Sequence, residues 1–121
     1  MKTKERLFEC SFLIPVLRNS DRRPHQPVDW RNFQNELLSL SPDKAFTGPE
    51  TALVFRKKKK VPGKWKEIDD ESRKYTVAIP VKQLKGLRKF LCAQCDRFDQ
   101  KSIYLSVAGE VELIRRGKST P

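Results

Sequence analysis

The sequence predicts an α+β fold in which two helices cover one side of a four-stranded antiparallel sheet. Three observations carry that expectation. Three segments alternate apolar and polar residues with a period of two, two others repeat apolar residues at spacings of three and four, and Pro- and Gly-bearing stretches lie among them. A chain of 121 residues is enough for one hydrophobic core, so residues 1–121 are read as a single domain.

From Leu7 to Val16 the even positions Phe8, Cys10, Phe12, Ile14 and Val16 are apolar, with Glu9 and Ser11 between them, which predicts a half-buried first strand. Arg18 to Pro27 has no period and is stiffened by Pro24 and Pro27, so it reads as a loop. Trp30, Phe33, Leu37 and Leu40 share one helical face. Asp29 is the expected N-terminal cap and Pro42 the stop. After Gly48 and Pro49, Thr51 to Phe55 is a short β-prone run.

Arg73 to Ile79 alternates again, with Tyr75, Val77 and Ile79 on one face. Pro80 to Phe98 sets Val81, Leu84, Leu87, Leu91, Cys95 and Phe98 at helical spacing, predicting the second helix. In the last segment Ile103, Leu105, Val107, Gly109, Val111 and Leu113 share odd parity. A two-residue hairpin at Ala108 and Gly109 would set Leu105 against Glu112 and Val107 against Glu110, so the pattern predicts one long strand bent at Gly109. The open sheet face is then expected to carry Glu9, Ser11, Thr76, Tyr104, Ser106, Glu110 and Glu112. A homodimer made by pairing or exchanging the final strand is a further expectation.

Composition speaks to partners more than to fold. With 26 Lys and Arg against 15 Asp and Glu, the formal net charge is +11, which favours phosphate backbones, acidic proteins or anionic surfaces. No stretch approaches the roughly 20 apolar residues of a membrane span, and the basic start is not followed by a uniform apolar run, so the expected setting is cytoplasmic without membrane contact. Three cysteines argue for reduced thiols over a disulfide framework.

The basic run Arg56, Lys57, Lys58, Lys59 and Lys60, continued by Lys64, Trp65 and Lys66, departs most from an ordinary surface. Five consecutive cations cannot alternate into a core, so residues of about 56–70 are expected to form an exposed hairpin arm. Such an arm can follow a phosphate backbone, with Trp65 as a stacking surface.

Other candidates carry less. Cys92 and Cys95 form a C-x-x-C, but near a helix C-terminus, where the dipole disfavours a thiolate. A zinc site would have to recruit both Cys10 and His25. His25 reads as a solvated loop residue. Asp96 and Asp99 are spaced to hold a magnesium ion, yet they sit beside Arg97 and Lys101 and read first as salt-linked surface. Ser72, Arg73, Asp99, Gln100 and Tyr104 lie near strand ends and could share a pocket. No cofactor motif is present.

The order β-α-β-β-α-β resembles the ferredoxin-like superfold, which hosts many unrelated functions. RNA-recognition motifs of that superfold stack bases on open-face aromatics, where this sequence has Glu9, Ser11, Lys74 and Thr76. The small CRISPR-associated nucleases carry an aspartate at the end of strand one, where Pro15 and Val16 stand here. The phrases Phe8 to Pro15, Ser72 to Ala78 and Phe98 to Leu105 resemble those of small uncharacterised bacterial proteins, a likeness that implies a fold and no sites.

The leading expectation is a non-enzymatic accessory protein that binds nucleic acid, RNA or DNA, through the Arg56 to Lys66 arm. Two alternatives stand beside it. One is an interaction subunit whose arm meets a larger acidic protein; the other is a small metal-dependent nuclease using Asp96, Asp99 or Tyr104.

Overall fold

The computed structural model describes residues 6–61 and 64–117; from 55 to 70 it describes the course of the backbone and not the side chains. In chain order the elements are β1 (Phe8–Pro15), α1 (Pro27–Leu40), β2 (Thr47–Val61), β3 (Lys64–Ile79), α2 (Leu84–Arg97), β4 (Ser102–Val107) and β5 (Glu110–Arg115). They form one antiparallel sheet of five strands in the order β2-β3-β1-β4-β5.

Alternation in β1 decides which face is buried. Cys10, Phe12 and Ile14 are wholly inaccessible, and the register sets Cys10 opposite Val77 and Phe12 opposite Tyr75 and Leu105. Both helices lie on that face. Phe33 of α1 meets Phe12 and Tyr75 with ring centroids 5.9 and 5.0 Å apart, and Phe90 of α2 stacks on Phe33 at 5.5 Å. Such aromatic contacts each add about 1 kcal/mol to the area they bury.

The first helix starts at Pro27, two residues before Asp29. Proline suits the first helical position because its missing N–H would have no partner there, so Asp29 is a first-turn acid instead of the cap. The second helix also differs from its expected start. Val81 to Gln83 form a single 3-10 turn, and Val81 is 64% exposed, so the apolar face begins at Leu84.

The largest departure concerns the C-terminal segment, which is not one long bent strand. β4 and β5 form a two-residue hairpin, with Ala108 at φ 49° and Gly109 at φ 89°, the positive pair that a tight turn matching strand twist requires. Leu105 does face Glu112 and Val107 faces Glu110. The mixture is tolerated because Arg88 of α2 reaches Glu112 with two hydrogen bonds, Nε to Oε1 at 2.6 Å and Nη2 to Oε2 at 3.2 Å. The sheet therefore has five strands, not four. Glu112 lies on the helix side, while Val111 and Leu113 join Leu13 and Tyr104 on the open face, which is more apolar than its polar reading implied.

β2 is also longer than the expected Thr51 to Phe55. Its pairing with β3 continues through Lys58 opposite Lys66 to Val61 opposite Lys64, whereas β1 leaves β3 at Ser72. The outer part is thus a two-stranded ribbon. Ladder hydrogen bonds need no buried side chain, so a ribbon of this kind carries no apolar period to read. Pro62 and Gly63, at the expected turn, lie outside the described residues.

Candidate functional site

The basic residues singled out by sequence lie on this ribbon. Arg56, Lys57, Lys58, Lys59 and Lys60 are on β2, and Lys64, Trp65 and Lys66 on β3, with Lys59 opposite Trp65; their side chains lie outside the described residues.

Asp96 and Asp99 converge, but on an arginine. Arg116 Nε stands 2.7 Å from Asp96 Oδ1 and its Nη1 3.3 Å from Asp99 Oδ1. The second oxygen of Asp99 accepts hydrogen bonds from the Ser20 hydroxyl (2.6 Å) and backbone N–H (2.8 Å), and the Asn19 N–H donates to the Asp99 carbonyl. Held chiefly by these Ser20 bonds, with Arg116 assisting, the Asp99 carboxyl is lowered to a pKa of about 2. Asp99 therefore clamps the loop after β1 to the C-terminal segment, and the oxygens that the pair turn toward each other are held on a guanidinium.

His25 is not solvated. It is 8% exposed, with its ring edge-on to Trp30 and Phe98 at 5.4 and 4.9 Å, and Nε2 lies 2.8 Å from the Pro15 carbonyl oxygen. A carbonyl can only accept, so Nε2 carries the proton and donates. Burial lowers the pKa of the ring, with the Pro15 bond opposing, which favours the neutral form. Periodicity could not show this, because the loop carrying His25 folds inward at a proline-bounded turn.

The cysteines likewise serve the core. Cys92 Sγ donates to the Arg115 carbonyl at 3.3 Å and Cys95 Sγ to that of Ile114 at 3.6 Å, and burial raises the Cys95 thiol to about 11. Among the described residues, no group of three or more His, Cys, Asp and Glu side chains is placed to hold a metal ion. None of their helices is long and apolar enough to cross a membrane.

Two clefts of similar size lie on opposite faces of the sheet. The first, about 770 Å³, opens on the face away from the helices, where β1 ends and β4 begins, beside the middle of β2 and β3. Its apolar walls include Leu13, Pro15, Leu53 and Leu113, and Ser72, Gln100, Lys101 and Tyr104 supply polar groups. Register makes this wall: Leu13 sits opposite Tyr104, Tyr104 opposite Leu113, and Pro15 opposite Ser72.

One atom in this cleft stands out chemically. Ser72 is 1% exposed and its hydroxyl has no hydrogen-bond partner, a condition that costs about 1–3 kcal/mol. Gln100 is differently placed, since its amide nitrogen already donates to the Leu17 and Phe98 carbonyls at 3.0 and 2.8 Å, which leaves its amide oxygen for a ligand. Of the five residues expected to share a pocket, Ser72, Gln100 and Tyr104 do so. Arg73 lines the second cleft, on the opposite face, and Asp99 belongs to the loop clamp.

No family model and no curated protein matches the chain. Among solved structures it is similar to a phage SAM lyase in complex with S-methyl-5'-thioadenosine. The identity is 10%, the likeness spans 95% of this chain and 94% of that one, and the TM-score is 0.54. The apo state of a phage SAM lyase is also similar, at 10% identity over 98% of this chain and 100% of that one, with a TM-score of 0.52. At this identity the likeness shows a shared fold.

The comparison corrects the expectation of a non-enzymatic, nucleic-acid-binding accessory protein. The solved structures that share this fold from end to end are those of an enzyme, one of them with a thioadenosine bound. The signal that misled was composition: a net charge of +11 has several physical uses and names none of them.

Proposed function

We propose that this chain is an enzyme acting on S-adenosylmethionine or a closely related adenosyl sulfonium, with the open-face cleft as its substrate site. The observation that carries the reading is the likeness to the SAM lyase along nearly the whole of both chains. The cleft supports it independently. It combines an aromatic surface at Tyr104, apolar walls for a ribose and thioether, and an unpartnered Ser72 hydroxyl for a ligand's polar edge.

The chemistry asked of such a site is modest. A sulfonium is already a good leaving group: as the substrate's own carboxylate oxygen forms a C–O bond to its γ carbon, the S–C bond at that carbon breaks, the electron pair passes to sulfur, and a neutral thioether departs beside a lactone. What the chain supplies is orientation and exclusion of water, which suits a cleft whose described lining offers hydroxyls, the amides of Asn19 and Gln100, and Lys101. Lys101 is the group available to a substrate carboxylate. The strongly positive chain adds a general bias, because a cationic substrate loses its charge as the bond breaks, and positive surroundings favour that loss.

For the fold we propose a ferredoxin-like arrangement extended by one strand. The order β2-β3-β1-β4, with α1 joining β1 to β2 and α2 joining β3 to β4, supports it, and β5 is then an added edge. We further propose a single domain that works in the cytoplasm, where its substrate class is made.

The test is incubation of the purified protein with S-adenosylmethionine, with the adenosyl products separated by mass. Release of S-methyl-5'-thioadenosine is the expected result, and an intact substrate after prolonged incubation with folded protein would refute the reading.

A further inference from the structure

The second cleft, about 740 Å³, lies on the helix side of the sheet, between α1, the loop that precedes it and Arg73 of β3. Trp30, Arg31, Asn35, Phe46 and Arg73 are among its lining residues, and among the described residues no aspartate or glutamate lines it. The Arg73 guanidinium lies over the Trp30 indole, Cζ 4.1 Å from the ring centroid. A guanidinium held over an aromatic ring has lost much of its rotamer freedom; part of its N–H fork faces the buried Tyr75 hydroxyl, and the remaining donors are kept for another group.

Arginines on protein surfaces usually find carboxylates. Here Arg18, Arg88, Arg97 and Arg116 are all paired, whereas among the described residues no carboxylate pairs with Arg31 or Arg73. The two cations thus face one cavity with no counter-charge among its described lining residues, beside an aromatic and apolar wall at Phe46 and Leu38 and the amide of Asn35. Nothing in the proposed sulfonium chemistry uses them, since Arg73 and Ser72 point to opposite faces of β3.

We infer that this cleft is a second binding site, for a small organic anion whose carboxylate or phosphate group sits on Arg73 and Arg31 and whose apolar part lies against Phe46 and Leu38. The planar guanidinium matches either head group through paired N–H donors.

Trp30 is a built-in reporter, once the other tryptophan is replaced by Trp65→Phe. In that background, phenyl phosphate, benzoate and neutral benzyl alcohol are titrated at constant ionic strength. A saturable change in Trp30 fluorescence with one or both anions, and none with benzyl alcohol, is expected; which anion saturates at lower concentration identifies the head group. Arg73→Gln is expected to weaken binding by about tenfold or more, with Arg73→Lys between the two because it keeps charge and loses the flat stack. Ser72→Ala should leave this titration unchanged, which separates it from the sulfonium reading. Absence of saturation, equal binding of benzyl alcohol, or unaltered binding by a folded Arg73→Gln protein would each overturn the inference.

Discussion

Ser72 and Arg73 are consecutive residues of β3 that serve opposite clefts: Ser72 is buried with an unpartnered hydroxyl in the open-face cleft, and Arg73 stacks on Trp30 in the cleft beneath α1. Strand alternation alone produces this division. A hydroxyl kept buried without a partner is a cost that a bound ligand can relieve. Ser72→Ala is therefore expected to raise the stability of the ligand-free protein by about 1 kcal/mol in urea unfolding, while weakening its binding of S-methyl-5'-thioadenosine by about fivefold or more. A purely structural serine would not move the two measurements in opposite directions.

The pair Arg88 and Glu112 holds the C-terminal hairpin to α2. Both side chains are about a third exposed, so solvent screening leaves the pair worth about 1 kcal/mol despite its two-point geometry. Glu112→Gln should lower the urea midpoint accordingly, and the difference from the parent should shrink in 1 M salt, where the Debye length is about 3 Å.

Acid is expected to act in two separate windows. The His25 pKa is lowered in the fold, so its contribution is fully present above the unfolded value of 6.5 and declines as pH falls below it, because the unfolded chain takes up a proton that the buried ring resists. Asp99 is lowered from 3.8 to about 2, so its contribution is present above 3.8 and is lost as pH falls through that interval. Thermal unfolding followed from pH 8 to 2 should show both declines. His25→Gln is expected to remove the upper one and Asp99→Asn the lower one.

Gly48 occupies a position that a side chain cannot share. Its φ is +116°, and a Cβ there would stand 2.6 Å from the carbonyl oxygen of Lys74, which is backbone and cannot swing away. Gly48→Ala should cost about 2 kcal/mol or more in chemical denaturation, through disturbance of the β2–β3 register beside the Arg73 cleft.

The core was legible in the sequence wherever one face of an element is buried. Phe12, Phe33, Leu37, Tyr75, Leu87, Leu91 and Leu105 are all inside, as their periods predict. Reading failed where a tertiary partner overrides a local pattern. Glu112 looked misplaced opposite Leu105 because Arg88, twenty-four residues away, is not visible in a strand's own alternation. The β2–β3 ribbon was expected as a hairpin arm from its run of cations, but the length of its strands was not, because paired backbone leaves no trace in polar sequence. Ser72, Gln100 and Tyr104 were legible as strand-end polar residues, but the walls at Leu13, Leu53 and Leu113 emerge only from register.

Turnover of an adenosyl sulfonium is the central expectation for this chain. Its most direct test is a time course of S-adenosylmethionine with purified protein, product being quantified as S-methyl-5'-thioadenosine, for the parent and for Tyr104→Ala and Ser72→Ala. The account predicts product formation by the parent and rates reduced by about tenfold in one or both variants, the equivalent of about 1.4 kcal/mol of barrier. No product from folded parent protein, together with no binding of S-methyl-5'-thioadenosine, would contradict it.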